Sequence, residues 1–194
     1  LTAADLTTLG DGSVSVSAVA TDAAGNASSA GTTTFTLDAT APATPVLALG
    51  TGVSNGATSA EATAAGGVIT VNAESGASVV VTFTRGANTV TKTVTGTGSA
   101  QAVALTAADL TALGDGTISV SAVQTDSAGN VSSAGTTSFT LDTVAPTAPV
   151  LALGTGVSNG ATVAEATAAG GVVTVSGESG ASIAVTFTQG ANTV

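Results

Sequence analysis

Apolar and polar residues alternate with a period of two in several short runs of the chain. In residues 13–18, Val14, Val16 and Ala18 alternate with Ser13, Ser15 and Ser17; in 79–84, Val79, Val81 and Phe83 alternate with Val80, Thr82 and Thr84. This is the pattern of strands that bury one face. Phe139 and Leu141 share a face of TTSFTLD, and PVLAL and GGVITV supply further short strands. Gly-Thr-Gly, Ser-Asn-Gly and Gly-Gly between these runs mark turns between antiparallel strands. Only LTAADLTALGDG, from Leu105, has helical character, and it predicts a single turn.

The pattern is written more than once. LTAADLTTLGDGSVSVSAVATDAAGN from Leu1 returns as LTAADLTALGDGTISVSAVQTDSAGN from Leu105, an offset of 104, and 18 of the 90 positions aligned this way differ. A period of that length is a domain rather than a solenoid turn. The Pro-bearing stretches LDATAPATP and LDTVAPTAP mark the boundaries, because paired prolines stiffen a connection and cannot join a central strand. The divisions expected are therefore 1–38, the C-terminal part of one copy; 39–142, a complete copy; and 143–194, the N-terminal part of a third. With neither Met nor a signal-like segment at its start, the chain reads as a piece of something longer. About seven strands per copy predicts an all-β fold of tandem immunoglobulin-like, or cadherin-like, β-sandwich repeats.

Composition narrows the function. The chain has no Cys, His, Met, Trp or Tyr and only four Phe. It therefore lacks the usual general base near neutral pH, a thiolate nucleophile, and the imidazole or thiolate ligands of zinc, copper or iron, so no enzyme activity is expected. Two basic residues, Arg85 and Lys92, stand against twelve acidic ones, for a net charge of −10. Such a surface has no basic patch for nucleic acid. No apolar run approaches the roughly 20 residues that span a bilayer.

With at most one Arg and one Lys per copy, the six acids of a copy cannot be neutralised from within, and two Phe per copy make a light core. A hard divalent cation relieves such repulsion and crosslinks loops. If GTISVSAVQ is strand F and AGTTSFTL strand G, Asp126 opens the F–G loop and Glu74 the B–C loop, at the end where Asp38 enters from the preceding copy. Asp38, Glu74 and Asp126 are thus expected to converge on Ca2+ at the joint between copies, completed by Asn130 and backbone carbonyls. At the opposite end, Glu61, Asp109 and Asp115 form a candidate second group, although Asp115-Gly116 also reads as an ordinary turn and Asp109 as the charged start of a helical turn. The Thr89, Thr91, Thr93, Thr95 and Thr97 alternation suggests a hydroxyl face for ice, but one such strand per copy makes no extended array, and Thr favours solvent-facing strand positions in any case.

Residues DGTISVSAVQTDSAGNVSSAGTTSFTLDTVAPTAP resemble the immunoglobulin-like repeats of giant secreted adhesins of the repeats-in-toxin type from Gram-negative bacteria, which end in a Val/Ala/Thr strand, TDxAGN, a last strand and DxxAPxAP. The 104-residue period is similar, more narrowly, to the extender repeats of calcium-dependent ice-binding adhesins. Asp126, Asn130 and Asp142 fall on the matching positions, whereas the aromatic usual after DGT is Ile118 here and Val14 in the first copy. The resemblance implies an extracellular, cell-surface protein whose repeats act as calcium-stiffened spacers for a distal binding domain. The alternative is that the repeat is itself an adhesive module for glycan or ice. Neighbouring repeats of the same chain are the expected partners. Residues 1–38 and 143–194 carry complementary strands, F and G against A, B and C, so half-repeats of other copies are expected to join head to tail. Asp22 of one molecule would then approach Glu178 and Asp142 of the next.

Overall fold

The period-two runs become strands where each finds neighbours to hydrogen-bond with. In the computed structural model, which describes all 194 residues, the chain divides into two compact units, 1–143 and 144–194. The first unit opens with α1 (Ala3–Leu9), β1 (Gly12–Ala18) and β2 (Gly31–Leu37). It continues through β3 (Val46–Leu49), α2 (Ser59–Thr63), β4 (Ile69–Asn72), β5 (Ser78–Arg85), β6 (Asn88–Thr95), β7 (Ala100–Val103), α3 (Ala107–Leu113), β8 (Gly116–Thr125) and β9 (Gly135–Leu141). From β3 onward these make two antiparallel sheets, β3-β4-β7 and β6-β5-β8-β9, while β1 and β2 form a separate hairpin. The seven strands β3 to β9 are the sandwich that the alternation predicts.

The inward residues of the two sheets fill one core. Val79, Val81 and Phe83 of β5 and Ile118, Val120 and Ala122 of β8 are buried, and Phe83 meets Phe139 of β9 edge to face, ring centroids 6.5 Å apart at 75°, a favoured aromatic geometry. The connection between β3 and α2 is tied to β9 by a parallel bridge between Ala57 and Leu141, with Ala57 N donating to Thr140 O at 2.7 Å and Asp142 N to Ala57 O at 2.9 Å.

The helical segment is longer than the single turn expected. α3 has seven residues, about two turns, and α2 is a helix in the A–B connection for which the alternation gave no sign. Both start with a capping box: Thr106 Oγ1 accepts from Asp109 N while Asp109 Oδ2 accepts from Thr106 N, and Thr58 and Glu61 repeat the exchange. Two orphan N-terminal donors are satisfied in each case, which lets short segments become helical. The C-terminal carbonyl of α3 is served as well, since Arg85 and Asn88, from β5 and β6, both donate to Leu113 O at 3.3 Å.

The second unit contains β10 (Val150–Leu153), α4 (Val163–Ala166), β11 (Val173–Ser176), β12 (Thr188–Gln189) and β13 (Asn192–Thr193), with β10 paired to β11 and β12 to β13. Its sequence matches 40–90 closely, but the expected third strand is shortened. Residues 182–187, the counterpart of most of β5, are not strand. β5 is held between β6 and β8, and no segment of this unit corresponds to β8. The same loss affects β1, which ends at Ala18 whereas β8 continues to Thr125, three residues beyond the corresponding position. No helix is long and apolar enough to cross a membrane.

Equal sequence in unequal surroundings makes a direct test. Phe83 is wholly buried, whereas Phe187, its counterpart, is 45% exposed. Phe83→Ala should destabilise the copy at 39–142 by about 3–5 kcal/mol, and Phe187→Ala should leave its denaturation midpoint unchanged. Chemical unfolding curves of the two variants check this.

Candidate metal centre

The loop after β8 is built around one carboxylate. Asp126 Oδ1 accepts from the backbone N–H groups of Ala128, Gly129 and Asn130 at 2.8–2.9 Å, and Oδ2 accepts from Asn130 Nδ2 at 2.9 Å. Gly129 sits at φ +99°, a conformation that L side chains rarely adopt. Asp22 closes the corresponding loop with Ala24 and Asn26. TDxAGN thus folds on itself, with the Asp as its hub.

Asn130 also reaches beyond its loop. Its Nδ2 lies 3.3 Å from Asp38 O and 3.2 Å from Asp38 Oδ1, so one amide bridges Asp126 to the residue that ends the preceding copy. Three oxygens, one backbone and two carboxylate, surround that nitrogen. Beside it the linker is held by Gln124, a buried side chain on β8 whose Nε2 donates to Ala43 O and whose Oε1 accepts from Glu74 N at 2.8 Å. Gly135 completes the seat: a Cβ there would stand 2.0 Å from Pro45 O. Gln124 was not singled out in the sequence, although a polar residue at an inward position where the first copy has Ala20 is a readable signal.

The structure brings Asp38, Asp126 and Asn130 together. Glu74 is hydrogen-bonded to none of these three, its N–H donating to Gln124 Oε1, and no group of three or more His, Cys, Asp or Glu is placed to hold a metal ion. Glu61 accepts from Thr58, and Asp109 from Thr106 and from Lys92, whose Nζ is 2.5 Å from its Oδ2. Asp115 Oδ1 accepts from Thr143 N and Oγ1 at 3.0 and 2.8 Å, as Asp11 does from Ala39 and Thr40. These two acids pin the segment that follows the last strand of each copy. Asp142 directly follows β9 and donates its N–H to Ala57 O, and in the second unit Glu178 Oε2 accepts from Thr147 N at 3.2 Å.

These partners set the acidities. The Asn130 amide, together with the loop N–H groups, holds the Asp126 carboxyl below the ordinary carboxylate range, against an opposing effect of burial. Burial would raise Asp109, but the hydrogen bonds and charge of Lys92 and the Thr106 donors bring it below its usual value. Thr58 lowers Glu61 in the same way, and Thr40, then Ala39, lower Asp11.

The outer face of the four-stranded sheet is almost wholly hydroxyl. Thr91, Thr82, Ser121 and Thr136 stand in register across the strands, and Thr89, Thr84, Ser119 and Ser138 form the next such row. The Thr alternation of β6 is therefore one column of a four-strand array rather than an isolated strand.

No family model matches the chain, and no curated protein sequence does. Among solved structures, the crystal structure of a tetra-tandem repeat in the extending region of a large adhesion protein is similar at 29% identity with a TM-score of 0.45, over 74% of this chain and 34% of that one. A second, from a study of host cell surface retention of a 1.5-MDa bacterial ice-binding adhesin, is 27% identical with a TM-score of 0.37, over 79% of this chain and 49% of its own. Both neighbours are adhesion proteins. This chain spans about a third of the first and about half of the second.

The lowered carboxyls fix the sign of a pH dependence. A group whose acidity is strengthened by folding stabilises the fold above its unfolded pKa, and that stability is lost as the pH falls through the lower folded value. The melting temperature in EDTA should be level at neutral pH and fall below about pH 5. Asn130→Ala should move the acid transition of the loop to higher pH. Melts across the acid range, followed by NMR of the Asp126 carboxyl, check both.

Proposed function

We propose that the chain is a non-enzymatic spacer of a bacterial cell-surface protein, in which tandem sandwich repeats, stiffened by calcium at their joints, hold a distal binding domain away from the cell. The observation that carries this reading is the Asn130 bridge between Asp126 and Asp38, which places the acids of two consecutive copies around one point. Asp126 Oδ2, Asp38 Oδ1 and Asp38 O meet at the Asn130 amide nitrogen, and the amide would turn over to add its own oxygen as a fourth donor. Calcium takes six to eight oxygens at 2.3–2.6 Å, so these four would be joined by water. Bound calcium would replace the weak amide contacts by an ionic link and relieve the repulsion between the two acids.

The rest of the molecule is consistent with a load-bearing role. Its two basic side chains are both spent on α3, Lys92 at Asp109 and Arg85 at Leu113 O, which leaves no cation for an anionic ligand. A second reading, an adhesive module for glycan or ice, is favoured by one feature, the uncharged hydroxyl rows on the outer sheet. Thermal hysteresis or ice-plane affinity of the isolated chain would separate it from the spacer.

Calcium at a hundredfold excess over its dissociation constant should stabilise the joint by about 2.7 kcal/mol per site, seen as a higher melting temperature that EDTA reverses. Identical melts in calcium and in EDTA would refute the metal. Asp38→Ala or Asp126→Ala should abolish the calcium response while the copy at 39–142 stays folded. Small-angle scattering should show a maximum dimension that grows with calcium in the unaltered chain and not in Asp38→Ala.

A further inference from the structure

The linker that enters the complete copy cannot fasten itself. Residues 41–45, Ala-Pro-Ala-Thr-Pro, include two prolines, which have no N–H for a ladder. The stretch lies outside every strand, and its carbonyls need donors from elsewhere. One comes from Gln124. This side chain is 2% exposed and engaged at both ends, Nε2 donating to Ala43 O and Oε1 accepting from Glu74 N at 2.8 Å. A single amide therefore joins the linker to β8 and to the loop after β4. Its backbone is framed by the buried Ser132, with Gln124 N donating to Ser132 Oγ and Ser132 N to Gln124 O, both at 3.0 Å. The first copy builds the same frame at Ala20, whose N donates to Ser28 Oγ at 3.1 Å and whose O accepts from Ser28 N at 2.8 Å. It also keeps the glycine of the seat, Gly31 for Gly135. Only the amide is missing there.

We propose that Gln124 is a latch that fixes the linker to its copy without metal, and that the choice of Gln or Ala at this position sets how stiffly a copy holds the linker entering it. This goes beyond the calcium reading, because the latch acts through neutral groups and both of its hydrogen bonds survive chelation. The two groups it serves belong to exposed residues, Ala43 and Glu74, so water can take the place of the amide when the side chain is cut back. Loss of the latch then frees the linker rather than unfolding the sandwich.

NMR of the full chain in EDTA tests this, and the result is independent of whether the joint binds calcium. In the unaltered chain the Ala43 and Thr44 amides should have the order parameters of rigid backbone, about 0.85, and in Gln124→Ala these should fall below about 0.6. The Glu74 N–H should exchange about tenfold faster in that variant, while the amides of β5 and β8 keep their protection. Gln124→Met fills nearly the same volume without the amide, and it should free the linker to the same extent. Gln124→Glu separates the two bonds, since it keeps an acceptor for Glu74 N and loses the donor to Ala43 O; here the linker alone should loosen and Glu74 stay protected. A linker already mobile in the unaltered chain, one that stays rigid in Gln124→Ala or Gln124→Glu, or one held as well by Met as by Gln would each overturn the proposal.

Discussion

Everything in the complete copy depends on β8 having a strand on each side. With β5 along one edge and β9 along the other, its inward residues Ile118, Val120 and Ala122 become the floor of the core, and Phe83 and Phe139 are brought edge to face above them. Remove one neighbour and the same residues lose both hydrogen-bond partners and cover. The chain contains that comparison within itself, for β1 and residues 182–187 keep the sequence of β8 and β5 nearly unchanged yet shorten or fail to form strand. Strand propensity is here a consequence of pairing more than a property of the segment.

A second constraint is the shortage of cations. A copy with six acids and at most two bases has to place each carboxylate where backbone and hydroxyl donors can serve it. Asp126 and Asp22 organise Asx loops, Glu61 and Asp109 cap helices, and Asp115 and Asp11 fasten the segment leaving the last strand. Hydrogen bonding to the ionised form thus supplies what ion pairs supply elsewhere, and only Asp109 has a lysine as well. At the joint, Asp38 takes a donor from the neighbouring copy, the Asn130 amide.

Much of this was legible from period and spacing. Alternation located the inward faces of β5 and β8 because a half-buried strand must show it. The position of Asp126 after one strand and of Asp38 before another was enough to bring them to the same end. Less was legible where a residue acts through the backbone. Thr106-Ala-Ala-Asp109 and Thr58-Ser-Ala-Glu61 have the spacing of capping boxes, yet charge counting draws attention to Asp109 and Glu61 as bare carboxylates. Gln124 is visible only by comparison with Ala20, since nothing local announces that a polar side chain turned inward will meet Ala43 and Glu74. The hydroxyl array needed the register of four strands, which no single run contains.

The parallel bridge of Ala57 to Leu141 carries a mechanical implication. The incoming segment, held at Ala43 by Gln124, and the outgoing strand β9, fastened beyond its end by Asp115 to Thr143, run side by side in the same direction. Tension applied to the linkers at both ends therefore draws these two segments past one another. The cross-links between them are loaded in shear, all at once, instead of being peeled open one after another. A domain entered and left in this way meets tension with those bonds loaded together.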